Sequence, residues 1–144
     1  MHQMLNLGPI IILEDDADDK EFFEEATREI GVDNEIIWFT DAPTALRYLK
    51  ETNKTIFIIF SDINVPGMSG LEFKIVIDSD PELRRRSIPF VFYSTSASRE
   101  AVITAYTKMT VQGFFSKSNS YEDIKKTLLT IFEYWDSCNH PNLH

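Results

Sequence analysis

The chain has 144 residues, with 14 Lys and Arg against 23 Asp and Glu, for a net charge of −9. Its length fits one domain, which buries roughly 68–70% of the surface of its unfolded chain, and the 43% hydrophobic residues supply a core, so wholesale disorder is excluded. The acidic balance also excludes nucleic acid or an anionic membrane held through net charge, because phosphate binding needs clustered Lys and Arg.

The opening residues, Met1 to Pro9, have neither the positive n-region nor the apolar stretch of a signal peptide. No run along the chain approaches the ~20 apolar residues of a membrane span, so a cytoplasmic location is expected. Ile10–Leu13 is the first of five short apolar runs, followed by Ile36–Phe39, Ile56–Phe60, Ile88–Tyr93 and Val111–Phe115. Each is too short for a typical helix, rich in Ile, Val and Phe, and followed by helical spacing, which is the pattern of buried parallel strands. After the first run, Phe22, Ala26 and Ile30 fall at i, i+4 and i+8 ahead of Gly31. They predict a helix whose first turn carries Asp18, Asp19 and Glu21, where the helix dipole favours acids. A second helix starts after Asp41 as N-cap, with Pro43 in its first turn and Ala45, Leu46 and Leu49 as its apolar stripe.

A third helix spans roughly Leu71–Ile77, and Asp78–Ser87 reads as a loop. That loop holds the one basic run, Arg84-Arg85-Arg86, which follows Asp78, Asp80 and Glu82 and reads as solvated. The fourth helix begins near Ser98, with Ser96 or Ser98 as cap, and buries Ala101, Val102, Ala105 and Met109. The fifth opens with Ser120-Tyr121-Glu122-Asp123, a capping-box-like pattern, and sets Ile124, Leu128, Ile131, Phe132 and Trp135 on one face. Trp135 on that stripe reads as core, while Tyr134 beside it leaves a homodimer face open. Cys138 is the sole cysteine, so no intrachain disulfide forms and a reducing compartment is expected. With His2, His140 and His144 near the termini, it shows no metal-ligand spacing. Strand–helix alternation repeated along one domain length predicts an α/β fold, a doubly wound five-stranded parallel sheet with helices on both faces.

Ligands of such sheets bind at the carboxyl ends of the strands. The first run ends in Glu14-Asp15-Asp16 and the third in Ser61-Asp62. Acids at neighbouring strand ends repel one another unless a cation intervenes, and Mg2+ is the hard, oxygen-seeking ion that suits them. Glu14 to Asp16 also fits a plain helix cap, and both readings stand at this point. The fourth run ends in Ser94-Thr95-Ser96 and the fifth leads to Lys117. A carboxylate cluster, a lone Asp, a hydroxyl and an ammonium from different strands describe a phosphoryl site, with Asp62 as the nucleophile and Lys117 and Ser94 on phosphoryl oxygens.

These residues resemble those of the receiver domains of two-component response regulators, over nearly the whole chain. The most specific segment is Asp62-Ile63-Asn64-Val65-Pro66-Gly67-Met68-Ser69-Gly70, which resembles the family's phosphoacceptor loop, with Asp62, Pro66, Met68 and Gly70 at its spacings. The resemblance implies that Asp62 is phosphorylated, that Asp15 holds Mg2+ directly and Glu14 through water, and that Asn64 lends its backbone carbonyl to the metal. Ser94 stands at the switch hydroxyl, Phe114 at the switch aromatic and Lys117 at the family's lysine. It further implies the flavodoxin-like strand order 2-1-3-4-5. The expected unit is a stand-alone receiver over residues 1–144, with a core of about 8–136, short flexible termini and no output domain. Implied partners are a sensor histidine kinase or phosphotransfer protein and a downstream protein effector, the latter met by the fourth helix, fifth strand and fifth helix.

Three positions depart from the family pattern. Ser118 follows Lys117 where Pro is usual, and because a cis bond there costs about 2.5–4 kcal/mol the bond is expected to be trans or strained. Thr95 replaces a small residue beside the switch hydroxyl, and Phe114 replaces the frequent Tyr. Asn64 and Ser96, two residues past Asp62 and Ser94, border the path of an attacking water in the family's geometry. Two other readings stand beside this one: a phosphorylation-independent binding module, and an aspartyl-phosphate phosphohydrolase. The latter's Asp-x-Asp motif on the first strand is not matched, since Asn64 stands at the second position and on the third strand.

Overall fold

The computed structural model describes residues 2–95 and 98–143; Met1, Ser96, Ala97 and His144, and with them the expected roles of Ser96, lie outside the described residues. Five strands form one parallel sheet: β1 (Ile10–Leu13), β2 (Ile36–Phe39), β3 (Ile58–Ser61), β4 (Phe90–Ser94) and β5 (Gly113–Ser116), in the order β2-β1-β3-β4-β5. This is the strand order that the resemblance to receiver domains implies. β1, β3 and β4 have a neighbour on each side and are buried throughout, which is why they read as unbroken apolar runs. β2 and β5 are the edges and are half-buried. β3, β4 and β5 start two residues after their apolar runs and end one residue beyond them, on Ser61, Ser94 and Ser116. The ladders thus carry the backbone to the polar residues at the carboxyl edge.

Among the described residues, six α-helices accompany the strands: α1 (Ala17–Glu29), α2 (Ala42–Glu51), α3 (Gly70–Ser79), α4 (Pro81–Arg85), α5 (Arg99–Lys108) and, after β5, α6 (Tyr121–Ser137). α1 and α6 cover one face of the sheet, where Phe23 of α1 meets Phe60 edge-on at 4.8 Å and Phe132 of α6 lies 5.8 Å from the same ring. α2, α3, α4 and α5 cover the other, around Phe73, Phe90 and Phe92. Each such ring removes enough apolar surface from water to contribute about 1.5–3 kcal/mol. Among the described residues, no helix is long and apolar enough to cross a membrane.

Two local expectations are corrected. The buried face of α1 is Phe23, Ala26 and Thr27, and Phe22 is exposed. Helical spacing is nearly equal for the two faces, and the choice is made by Phe60 and Tyr93, against which Phe23 packs. The segment Asp78–Ser87 is not a loop: α3 continues to Ser79 and α4 follows at once. Asp80 ends α3 and caps α4, its carboxylate accepting from the Glu82 and Leu83 amides, with Pro81 in the first turn and Leu83 buried. Asp78 is equally structural, since it pairs with buried Lys74 at 2.9 Å and accepts from the amide and hydroxyl of Thr110. The basic run is partly tethered as well, with Arg86 donating to the Leu49 carbonyl at the end of α2.

The packing extends past the expected core limits of 8–136. A 3-10 segment, His2–Leu7, buries Met4 and Leu7, and Asn34 donates to the carbonyls of Met4 and Gly8. At the other end, buried His140 lies edge-on to Phe57 and Trp135. Its Nε2 donates to the Phe57 carbonyl at 2.7 Å, and its Nδ1 accepts the Asn142 amide at 3.0 Å. Asn142 in turn donates to the carbonyls of Leu7 and Ile56. Trp135 is core as expected and Tyr134 is 61% exposed.

Only the neutral ring can accept at Nδ1 while donating from Nε2, and burial lowers its affinity for a proton. As pH falls below the ordinary value of 6.5, the unfolded chain takes up this proton before the folded chain does. The stabilisation is complete above that pH and declines below it. Thermal melts from pH 7.5 to 5 are expected to lose midpoint more steeply in the unmodified protein than in His140→Gln, the difference isolating His140 from the titrating acids.

Candidate functional site

The site is built where β1, β3, β4 and β5 end. Glu14 leaves β1 with its amide on the Phe39 carbonyl at 3.0 Å and is buried, whereas Asp15 is exposed. Asp16 is the N-cap of α1, accepting from the amides of Asp18 and Asp19. The acidic triplet therefore divides: one residue caps the helix and two face the edge of the sheet. Asp62 follows β3 and is held by its own loop, since Oδ1 accepts the Ile63 amide at 2.7 Å and the Asn64 amide at 3.2 Å.

Gly70, at the start of α3, explains one spacing of this loop. Its amide donates to the Ile63 carbonyl, and a Cβ there would stand 2.0 Å from the Asp62 carbonyl oxygen. Only glycine lets the helix approach the acceptor loop this closely.

Ser94, at the end of β4, donates its hydroxyl to Asp62 Oδ1 at 2.7 Å. Lys117 is fixed just beyond β5 by its amide on the Ser94 carbonyl. Its ammonium reaches Asp62 Oδ2 at 2.8 Å, Asp19 at 3.1 Å and Glu14. The Lys117–Ser118 peptide is trans, like every peptide bond among the described residues. Phe114 is half-buried and packs 5.4 Å from Phe92, on the face of the sheet that also carries α5. Thr95 is exposed.

The electrostatics follow from burial. Burial pushes the Glu14 carboxyl up to about 7, against the pull of Lys117. Burial would raise Asp62 too, but hydrogen bonds from Lys117 and Ser94 outweigh it and hold the carboxyl below its usual range. Burial disfavours the Lys117 ammonium, yet its bonds to Asp62 and Glu14 keep it above the ordinary lysine range. Three acids, Glu14, Asp19 and Asp62, thus share one ammonium, with Asp15 beside them. Carboxylate oxygens of Glu14, Asp15 and Asp62 lie within 4.8 Å of one another, a hard all-oxygen donor set suited to a divalent cation.

The structure therefore brings Glu14, Asp15, Asp62, Ser94 and Lys117 together and places Asn64 on the same loop by its amide. Two participants escaped the sequence. Asp19 reads as a helix-dipole acid, although its position one turn past Asp15 puts it over the same edge. Trp38 donates its indole N–H to the Glu14 carbonyl at 2.6 Å, a contact no local pattern announces. A cleft of about 130 Å3 lined by Asp19, Phe22, Tyr93, Lys117 and Ser118 opens beside the acids.

Comparison with known proteins agrees with this geometry. The family described as response regulator receiver domain matches residues 10–129. Response regulator Rcp1 of Synechocystis is 28% identical over 131 residues, covering 88% of this chain and 87% of that protein. Chemotaxis protein CheY-3 of Vibrio cholerae is 29% identical over 134 residues, covering 92% and 98%. Among solved structures, the phosphorylated cyanobacterial phytochrome response regulator RcpA is 28% identical with a TM-score of 0.83, covering 93% of this chain and 98% of that one. The Mn2+-bound form of Rcp1 is 26% identical with a TM-score of 0.81, covering 93% and 99%.

Removing one partner of a buried charge cluster leaves the others uncompensated, at a cost of about 3 kcal/mol. Urea unfolding of Lys117→Ala is expected to show a loss of that size. Adding Asp62→Asn in the Lys117→Ala background is expected to return part of it by removing one repelling acid.

Proposed function

This chain belongs to the response regulator receiver domain family, whose members are signalling proteins, and we propose that it takes a phosphoryl group onto Asp62 from a phosphohistidine of a sensor histidine kinase or phosphotransfer protein. The observation that carries the reading is the convergence of Lys117 and Ser94 on the two oxygens of one carboxylate, from 55 and 32 residues away in sequence. In the transfer, a lone pair of Asp62 Oδ2 attacks phosphorus, the bond from phosphorus to the histidine nitrogen breaks with its electron pair left on the imidazole, and an acyl phosphate forms. Oδ1 is engaged by the Ile63 and Asn64 amides and by Ser94, which orients the carboxylate and leaves Oδ2 toward the ammonium. No general base is required, because a carboxylate already carries the attacking lone pair and the step depends on positioning and charge.

Glu14 and Asp15, with Asp62 and the Asn64 carbonyl, would hold Mg2+, Asp15 directly and Glu14 through water. When bound, Mg2+ supplies neutralisation of the charge that gathers on the phosphoryl oxygens. The Mn2+-bound form of Rcp1 and the phosphorylated RcpA support the two halves of this reading. Lys117 holds a phosphoryl oxygen, and Ser94 exchanges Asp62 Oδ1 for another. Ser94 and Phe114 then move inward together, which alters the face of α5, β5 and α6 where a protein effector docks. The exposure of Ile103, Tyr106 and Tyr134 on α5 and α6 supports such a face. A kinase or phosphotransfer donor and the free Cys138 support a cytoplasmic location.

Incubation with Mg2+ and acetyl phosphate is expected to add the mass of one phosphoryl group. The gain disappears with EDTA and in Asp62→Asn. A gain that persists in Asp62→Asn removes Asp62 as the acceptor, and no gain in the unmodified protein removes the reading.

A further inference from the structure

The two acids proposed to hold the metal sit just past the end of β1, where the sheet no longer fixes the chain. Both backbone groups of Glu14 are nonetheless held by β2. Its amide donates to the Phe39 carbonyl at 3.0 Å, and its carbonyl accepts the Trp38 indole N–H at 2.6 Å. That carbonyl belongs to the peptide plane joining Glu14 to Asp15, so its direction sets where the Asp15 side chain begins. The Glu14 side chain is restrained as well, accepting the Asp16 amide.

Trp38 is itself well fixed. It lies opposite Ile12 in the ladder, and the Lys20 ammonium of α1 sits 5.3 Å over its ring. Tryptophan carries a lone donor and no acceptor, and here that donor is given to a backbone carbonyl. At 37% exposed it is a large aromatic spent at the sheet edge, where packing alone does not call for one.

We infer that Trp38 is a positioning residue for the metal site: its indole N–H locks the Glu14–Asp15 peptide so that Asp15 is already aimed at a divalent cation. The inference rests on the metal reading above. Groups that orient metal ligands without touching the ion typically change affinity by 10–100-fold when removed. The indole acts through a backbone carbonyl, so the lower end of that range applies.

Calorimetric titration with Mg2+ alone tests it, using the unmodified protein, Trp38→Phe and Asp15→Asn. Phe keeps an aromatic face under Lys20 and deletes the donor. Trp38→Phe is expected to weaken Mg2+ roughly tenfold, with a melting midpoint in EDTA close to that of the unmodified protein. A Trp38→Phe affinity equal to the unmodified one overturns the inference while leaving the metal reading intact. Absence of Mg2+ binding by the unmodified protein, or full binding by Asp15→Asn, overturns the metal reading and the inference with it. A second measurement does not depend on how Trp38→Phe folds. In Trp135→Phe, where Trp38 is the remaining tryptophan, the indole N–H resonance is expected to be protected from solvent exchange without Mg2+, and an N–H that exchanges freely overturns the inference.

Discussion

One ammonium holds the carboxyl edge of this molecule together. Lys117 reaches Glu14, Asp19 and Asp62, acids that lie 103, 98 and 55 residues earlier in the chain. Without it, the ends of β1 and β3 would bring buried carboxylates side by side with nothing between them, and burial has already pushed Glu14 up to about 7. With it, the edge is assembled yet still short of positive charge. A fold that sets several acids around one lysine has kept room for a second, stronger cation and for an anion delivered to it.

The sheet makes this arrangement reproducible. β1, β3 and β4 are buried from end to end, so register errors would place side chains of the wrong face into two tightly packed aromatic cores. β3, β4 and β5 then stop at a serine of the same edge, and β1 is followed there by Glu14. Precision at Asp62 comes from close backbone approach as much as from charge, as the fit of Gly70 against its carbonyl shows.

The sheet was legible because parallel strands buried on both faces leave unbroken apolar runs, while its order came only with the resemblance to receiver domains. The edge residues were legible because strand ends are where such folds bind ligands. What escaped has a common cause. Phe22 and Phe23 are adjacent and equally apolar, and only the rings awaiting them on β3 and β4 decide which is buried. α4 is too short for a periodic signal and carries one buried apolar residue, Leu83. Asp19 and Trp38 act through partners set by tertiary approach, and the terminal segments through hydrogen bonds to backbone carbonyls, which have no sequence signature.

The docking of Asn142 on Leu7 and Ile56 has a geometric corollary. Leu7 and Ile56 precede β1 and β3, so the described segments nearest both termini gather at the amino pole of the sheet, opposite the acids. The protein is polar in the sense of a plug: its attachment points lie on one end and its chemistry on the other. A surface or fluorophore coupled near either terminus would leave the acidic end facing outward, and a binding partner would meet every tethered copy in the same orientation.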